Sequence, residues 1–169
     1  MSYALLQNPA LQGVASIACG GLHTLAAQQG GKLSAWGANE HGCLGLGREG
    51  PLQARTPAPV PGLAAEQVSA GWKHAAAVTA GGRLYTWGWG GSQGTALSAM
   101  EGGSGGGQLG LGNEFDYWAP ARVEWVQSGA GAGVPQLDAE GHQMWRVLQV
   151  ACGLNHTAAV VEISAEVFL

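Results

Sequence analysis

The sequence predicts an all-β chain, a partial β-propeller of about two and a half four-stranded blades, and three observations carry that prediction. One segment, an apolar residue, two small ones, a glycine, two variable positions and a histidine, occurs three times. A second, Gly-x-Leu-x-x-Trp-Gly, follows it twice at one fixed distance. The pieces between turn signals are short and lack a helical period, in a chain with 30 glycines among 169 residues.

The first landmark reads Ile17-Ala18-Cys19-Gly20-Gly21-Leu22-His23-Thr24, then Val68-Ser69-Ala70-Gly71-Trp72-Lys73-His74-Ala75, then Val150-Ala151-Cys152-Gly153-Leu154-Asn155-His156-Thr157. Each copy runs into an apolar stretch, Leu25–Ala27, Ala76–Val78 and Ala158–Val160, which extends it as a strand. Gly31–Gly37 matches Gly82–Gly88; both start at Gly-Gly and alternate, as a hairpin strand with one buried face does. Cys43-Leu44-Gly45-Leu46-Gly47 matches Gln108-Leu109-Gly110-Leu111-Gly112, whose glycines permit turns at positive φ. Pro57 and Pro120 each open a further strand-like piece, where a missing N–H does little harm.

The spacing makes these landmarks one repeated unit. His23 to His74 spans 51 residues, as does Trp36 to Trp87, whereas His74 to His156 spans 82. The excess is located: 14 extra residues between Trp87 and Leu109, two fewer before Pro120, and 19 more between Val123 and Val150. The organisation expected is therefore an N-terminal extension over 1–13 and a first unit over 14–67. A second unit follows over 68–149, with Gly-rich insertions near 89–107 and 128–146, and a third, truncated unit starts at 150–169.

In this order the motifs xxCGxxHT, GxLxxWG, GQLGLG and PxxV resemble the repeat of the regulator of chromosome condensation family, over roughly residues 14 to 169. The resemblance implies a propeller of seven blades, of which this chain would hold two units and part of a third. Family members include an exchange factor for the small GTPase Ran, a plant ultraviolet-B photoreceptor and repeat domains of large ubiquitin ligases. An open array leaves strand edges and apolar faces unpaired, so the expectation is a fragment of a longer protein, or a chain that completes itself by self-association through its open blade edges.

Composition narrows the function classes. Seven Lys and Arg against eleven Asp and Glu, with no basic run, argue against direct nucleic-acid binding. No run approaches the roughly 18 apolar residues of a membrane span, and the first 13 residues lack a secretory pattern. Three cysteines without a CxxC pair fit a reducing compartment, so an intracellular protein of cytoplasm or nucleus is expected. His23, His74 and His156 occupy one position of three units, which marks a repeated structural hydrogen bond rather than a metal triad. Cys19, Ala70 and Cys152 share a position asking for a small buried residue, and Trp36 and Trp87 read as core. His41, Asp138, Glu140 and His142 read as solvated, and the glycine run Glu101–Gly107 lacks the lysine of a phosphate loop. No catalytic, cofactor-binding or metal residues are expected, no cofactor, and no enzyme.

What remains points to a protein-interaction module, part of a guanine-nucleotide exchange factor for a small GTPase or of a larger signalling protein. The candidate partner-binding residues are Trp72, Lys73 and Trp89: an indole beside a cation is a common hot-spot pair, and Trp89 opens the first insertion. Gly71-Trp72-Lys73-His74 also resembles the Gly-Trp-Arg-His motif of the ultraviolet-B photoreceptor, which implies a light-responsive alternative. That alternative calls for clustered tryptophans, and the matching positions here are Gly21-Leu22 and Leu154-Asn155.

Overall fold

Each glycine-to-histidine segment folds as a tight turn, because the glycine N–H donates to the histidine carbonyl in all three copies. The distances are 2.8 Å for Gly20 to His23, 2.9 Å for Gly71 to His74 and 2.9 Å for Gly153 to His156. A computed structural model describes residues 8–91, 106–127, 133–139 and 141–164. Around these turns it builds two four-stranded antiparallel sheets. The first is β1 (Val14–Cys19), β2 (His23–Gln28), β3 (Lys32–Ala38) and β4 (Gln53–Ala64), in that order. The second is β5 (Gln67–Ala70), β6 (His74–Val78), β7 (Leu84–Gly88) and β8 (Tyr117–Arg122). A hairpin of β9 (Trp125–Gln127) and β10 (Gly133–Pro135) follows, then the pair β11 (Trp145–Cys152) and β12 (Thr157–Ile163).

The 51-residue offset survives as register. His23 sits opposite Gly37 and Thr24 opposite Trp36; one unit on, His74 sits opposite Gly88 and Ala75 opposite Trp87. The chain is therefore all-β, built of four-stranded propeller blades, with one 3₁₀ turn at Glu40–Gly42 among the described residues. Pro57 and Pro120 lie within β4 and β8, the outer strand of each blade, where no further strand needs their missing donor.

The apolar cores lie between blades. Leu25, Leu33, Leu44, Val68 and Trp87 pack together where the first blade meets the second. Val78, Leu84, Trp145, Val147 and Val150 do so where the second meets the third. In each case the Val of an incoming first strand, Val68 or Val150, enters the face of the preceding blade. Trp87 is fully buried, and its Nε1 donates to the Cys43 carbonyl at 3.0 Å, in the Leu-Gly loop of the blade before it. Trp36 departs from the core expectation and is half-buried, since nothing among the described residues covers it as Cys43–Gly45 covers Trp87. Cys19 departs likewise: it is exposed on β1, while Cys152 is half-buried and its N–H reaches Ser69 Oγ at 2.8 Å.

Two parts of the sequence that read as insertions fare differently. Residues 92–105, the body of the first and most of the Glu101–Gly107 run, lie outside the described residues. Within the second, residues 128–132 and Glu140 also lie outside them, but two of its described residues, Gln136 and Trp145, are buried. Trp145 is buried with its Nε1 on the Val134 carbonyl at 3.0 Å. Buried Gln136 accepts from Arg122 Nε at 2.9 Å and donates toward the Gly82 carbonyl, tying the β9–β10 hairpin to the second blade.

The histidines stack from blade to blade. His74 meets Thr157 Oγ1 of the next blade at 3.1 Å, the structural bond expected of this position. His23 has Ala75 where His74 has Thr157, so its buried Nε2 finds no hydrogen-bond partner among the described residues. Burial above all, with the charge of the next histidine along adding to it, lowers the pKa of His23 and of His74 to about 4. Because the folded values lie below the unfolded one, protonation favours the unfolded chain. Stability should be complete above pH of about 6.5 and fall as pH drops toward about 4, which thermal melts across that window would detect. Trp87→Ala should cost about 3–5 kcal/mol by urea unfolding, and Trp36→Ala clearly less.

Candidate partner-binding surface

Trp72 and Lys73 are the two variable positions of the β5–β6 turn, so the turn geometry itself lifts them off the sheet. Trp72 is 43% exposed, and Lys73 Nζ stands 4.8 Å over its ring. Lys73 also reaches Glu40 Oε2 of the first blade at 3.3 Å. Trp89 follows β7, and its N–H donates to the Lys73 carbonyl at 2.9 Å, which draws it to the same edge of the sheet. The two indoles meet edge to face with ring centroids 6.4 Å apart. All three candidate residues are thus brought into one cluster.

Three residues read as solvated or not singled out complete it. His41 lies 6.1 Å from the Trp89 ring, and its Nδ1 is 2.7 Å from Asp116 Oδ2. The other Asp116 oxygen accepts the Gly90 N–H at 3.0 Å. His41 holds a positive φ of 59°, costly for a residue with a Cβ, and the Asp116 and Trp89 contacts hold it there. No local signal marks these residues, because His41 and Asp116 are 75 positions apart and meet only when blades pack. By contrast His142 does stay exposed, paired with Asp138 four residues earlier.

Exposed leucines flank the cluster. Leu22 and Leu154, in the equivalent turns of the flanking blades, are 66% and 65% exposed. Backbone bonds align the three turns: Gly21 N–H donates to the Trp72 carbonyl, and Trp72 N–H to that of Leu154, each at 3.1 Å. Burial pushes the Cys43 thiol up to about 12, keeping it protonated and unreactive beneath Lys73. Among the described residues no group of three or more His, Cys, Asp or Glu is placed to hold a metal ion. Nor is any helix of the described residues long and apolar enough to cross a membrane.

The pattern of the regulator of chromosome condensation (RCC1) repeat matches residues 30–78 and 102–160, and a second pattern of the same description matches 14–43 and 65–94. The chain belongs to the RCC1 repeat family. As an RCC1-repeat chain it is 29% identical over 160 residues to the human probable E3 ubiquitin-protein ligase HERC3, covering 94% of this chain and 12% of that one. It is 31% identical over 147 residues to the ultraviolet-B receptor UVR8 of Arabidopsis thaliana, 86% of this chain and 27% of the receptor. The fold superposes on Prp20p of Saccharomyces cerevisiae with a TM-score of 0.68 at 21% identity, over 96% of this chain and 34% of that one. This RCC1-repeat chain thus spans 12% to 34% of these three proteins.

These relatives correct one expectation. The reading of this chain as not an enzyme is overturned by matches to ubiquitin ligases along nearly its whole length. The matched part is 12% of the ligase, and no ligase activity is assigned to this RCC1-repeat segment by it. What the family does establish is a repeat module for protein interaction.

Removing Asp116 strands both His41 and the Gly90 N–H. Asp116→Ala should therefore cost about 1–3 kcal/mol in urea unfolding and loosen Trp89, seen as a red-shifted indole emission.

Proposed function

We propose that this RCC1-repeat chain docks a protein partner on the surface formed by Trp72, Lys73 and Trp89. One observation carries the reading: two indoles in edge contact, a cation over one of them, and exposed Leu22 and Leu154 on either side. Isolated exposed apolar residues are ordinary, but exposed apolar residues on three turns that hydrogen bond to one another suit an interface centre. Lys73 supplies orientation. Its Glu40 partner is 58% exposed, so a carboxylate of the partner can take over the ammonium at little desolvation cost.

The partner class we favour is a small GTPase. Prp20p, whose fold this chain shares, has been studied for its binding to Gsp1p and histones, and surface complementarity is the mechanism that a rim of this kind offers. Exchange would then follow from prying apart the nucleotide-holding segments of the GTPase. A Ran-type GTPase titrated into the chain by calorimetry should bind. Trp72→Ala or Trp89→Ala should weaken binding by about 2 kcal/mol or more, and Lys73→Glu should slow association. No binding by the wild-type chain would remove the GTPase reading.

A second reading rests on the Trp72–Trp89 pair itself together with the likeness to UVR8. If the pair is a light-absorbing unit, ultraviolet-B irradiation should change the assembly state, and Trp72→Phe should abolish the change. An assembly state indifferent to irradiation excludes this reading.

A further inference from the structure

The outer strand of each four-stranded blade carries a bulge, and in the first blade that bulge holds a threonine. On β3, Trp36 alone lies between Ala35 and Gly37, whose partners on β4 are Ala58 and Ala54. Arg55, Thr56 and Pro57 therefore stand opposite a single residue. The second blade repeats the arrangement, with Trp87 alone facing Trp118, Ala119 and Pro120 of β8. Such a bulge takes residues out of the ladder and re-aims their side chains. Buried Ala54 and Val60 hold β4 to the core on either side of it.

The middle position of the bulge is open in both blades. The second blade packs on the first and leaves Thr56 exposed; the first packs on the second and leaves Ala119 exposed. The first blade touches the second bulge at Trp118 instead, whose carbonyl accepts the Gly47 N–H at 2.8 Å. A neighbour on one side or the other thus leaves the middle residue facing outward.

Thr56 also stands apart from the other threonines. Those at 24, 79, 86 and 157 each place the hydroxyl against a partner: Cys19 Sγ, the Arg83 N–H, the Leu109 carbonyl and His74 Nε2. Thr56 makes no hydrogen bond through its side chain with any described residue. Arg55 beside it is exposed and has no ion pair among the described residues. Pro57, Pro59 and Pro61 bring no N–H, so the strand beyond the threonine is held by fewer ladder bonds than usual. Thr56-Pro57 is the only Ser-Pro or Thr-Pro pair in the 169 residues.

We propose that Thr56 is a phosphorylation site for a protein kinase that reads a proline after its acceptor. The Thr56 oxygen attacks the terminal phosphorus of ATP, the bond from that phosphorus to ADP breaks, and the hydroxyl proton passes to the kinase's catalytic aspartate. The product carries a charge of about −2 beside Arg55 on the outer rim. Thr56 fills no core position, so the mark changes the surface and leaves the blade folded. The inference rests on the bulge and does not depend on the Trp72 surface.

Incubation of the 169-residue chain with a mitogen-activated protein kinase and magnesium ATP tests it. Intact-mass analysis should show the gain of a single phosphoryl group, and peptide mapping should place it on Thr56. Thr56→Ser should still accept it, whereas Thr56→Val and Pro57→Ala should not, all three being folded by circular dichroism. The rate on the folded wild type should lie within about tenfold of that on a free peptide of residues 50–64, because a bulge opens locally at low cost. A folded chain left unmodified, a phosphoryl group placed elsewhere, or a folded-chain rate below that tenfold window would each overturn the proposal.

Discussion

The approach of one glycine turn to the next sets the geometry of the whole molecule. A Cβ at Gly20 would meet the Gly71 carbonyl at 2.5 Å, and one at Gly71 the Gly153 carbonyl at 2.6 Å. The histidine ring of each turn already fills the space on the other side of its glycine. Backbone stacked on backbone in this way brings β1, β5 and β11 together at the inner edge. Only at that distance can Val68 and Val150 reach the faces they fill, and only then do the cores between blades exist. Packing density in these cores follows from the turn, because a spacing larger by even a methyl group would open a void along each interface.

The same stacking explains why polar groups are expensive here and where the chain tolerates the expense. His74 Nε2 has its threonine, His23 faces an alanine, and among the described residues His23 Nε2 and His74 Nδ1 are both buried without a hydrogen-bond partner. Both rings are held neutral by burial, so the interior depends on histidines staying uncharged. Trp87 and Trp145 show the other solution, each pairing its indole N–H with a carbonyl from a distant segment.

On the surface, the turn that builds the core also builds the candidate site. In the first two blades its histidine is buried and its glycine is closed in by that ring and the next turn, while the two positions between them lie at the surface. Trp72 and Lys73 occupy those positions in the second blade, flanked by Gly21-Leu22 and Leu154-Asn155. A scaffold of this kind can change its contact chemistry without disturbing its core, which suits a repeat module for protein interaction. The left-handed His41, braced between Asp116 and Trp89, shows the rigidity extending one shell outward.

Much of this was legible in the sequence because repetition is a one-dimensional signal. The 51-residue spacing, the glycine-histidine turn and the strands at Leu33–Trp36 and Leu84–Trp87 all follow from local pattern. Trp72 and Lys73 could be named as candidates because they depart from their repeat-equivalents. What the pattern could not show are contacts between units. Trp36 and Trp87 are identical in motif, yet one is half-buried and the other fully buried, because burial depends on the neighbouring blade. Trp145 and Gln136 looked like insertion sequence and are core, since their partners, Val134, Arg122 and Gly82, are set by the β9–β10 hairpin folding back. The meeting of His41 with Asp116, and of Trp72 with Trp89, likewise awaited the packing of loops far apart in the chain. The sequence by itself determined the unit, its strands and its turns, which are local properties of backbone and alternation. The tertiary structure decided which residues lie buried and which side chains share a surface, because those depend on distances between blades that no single repeat encodes.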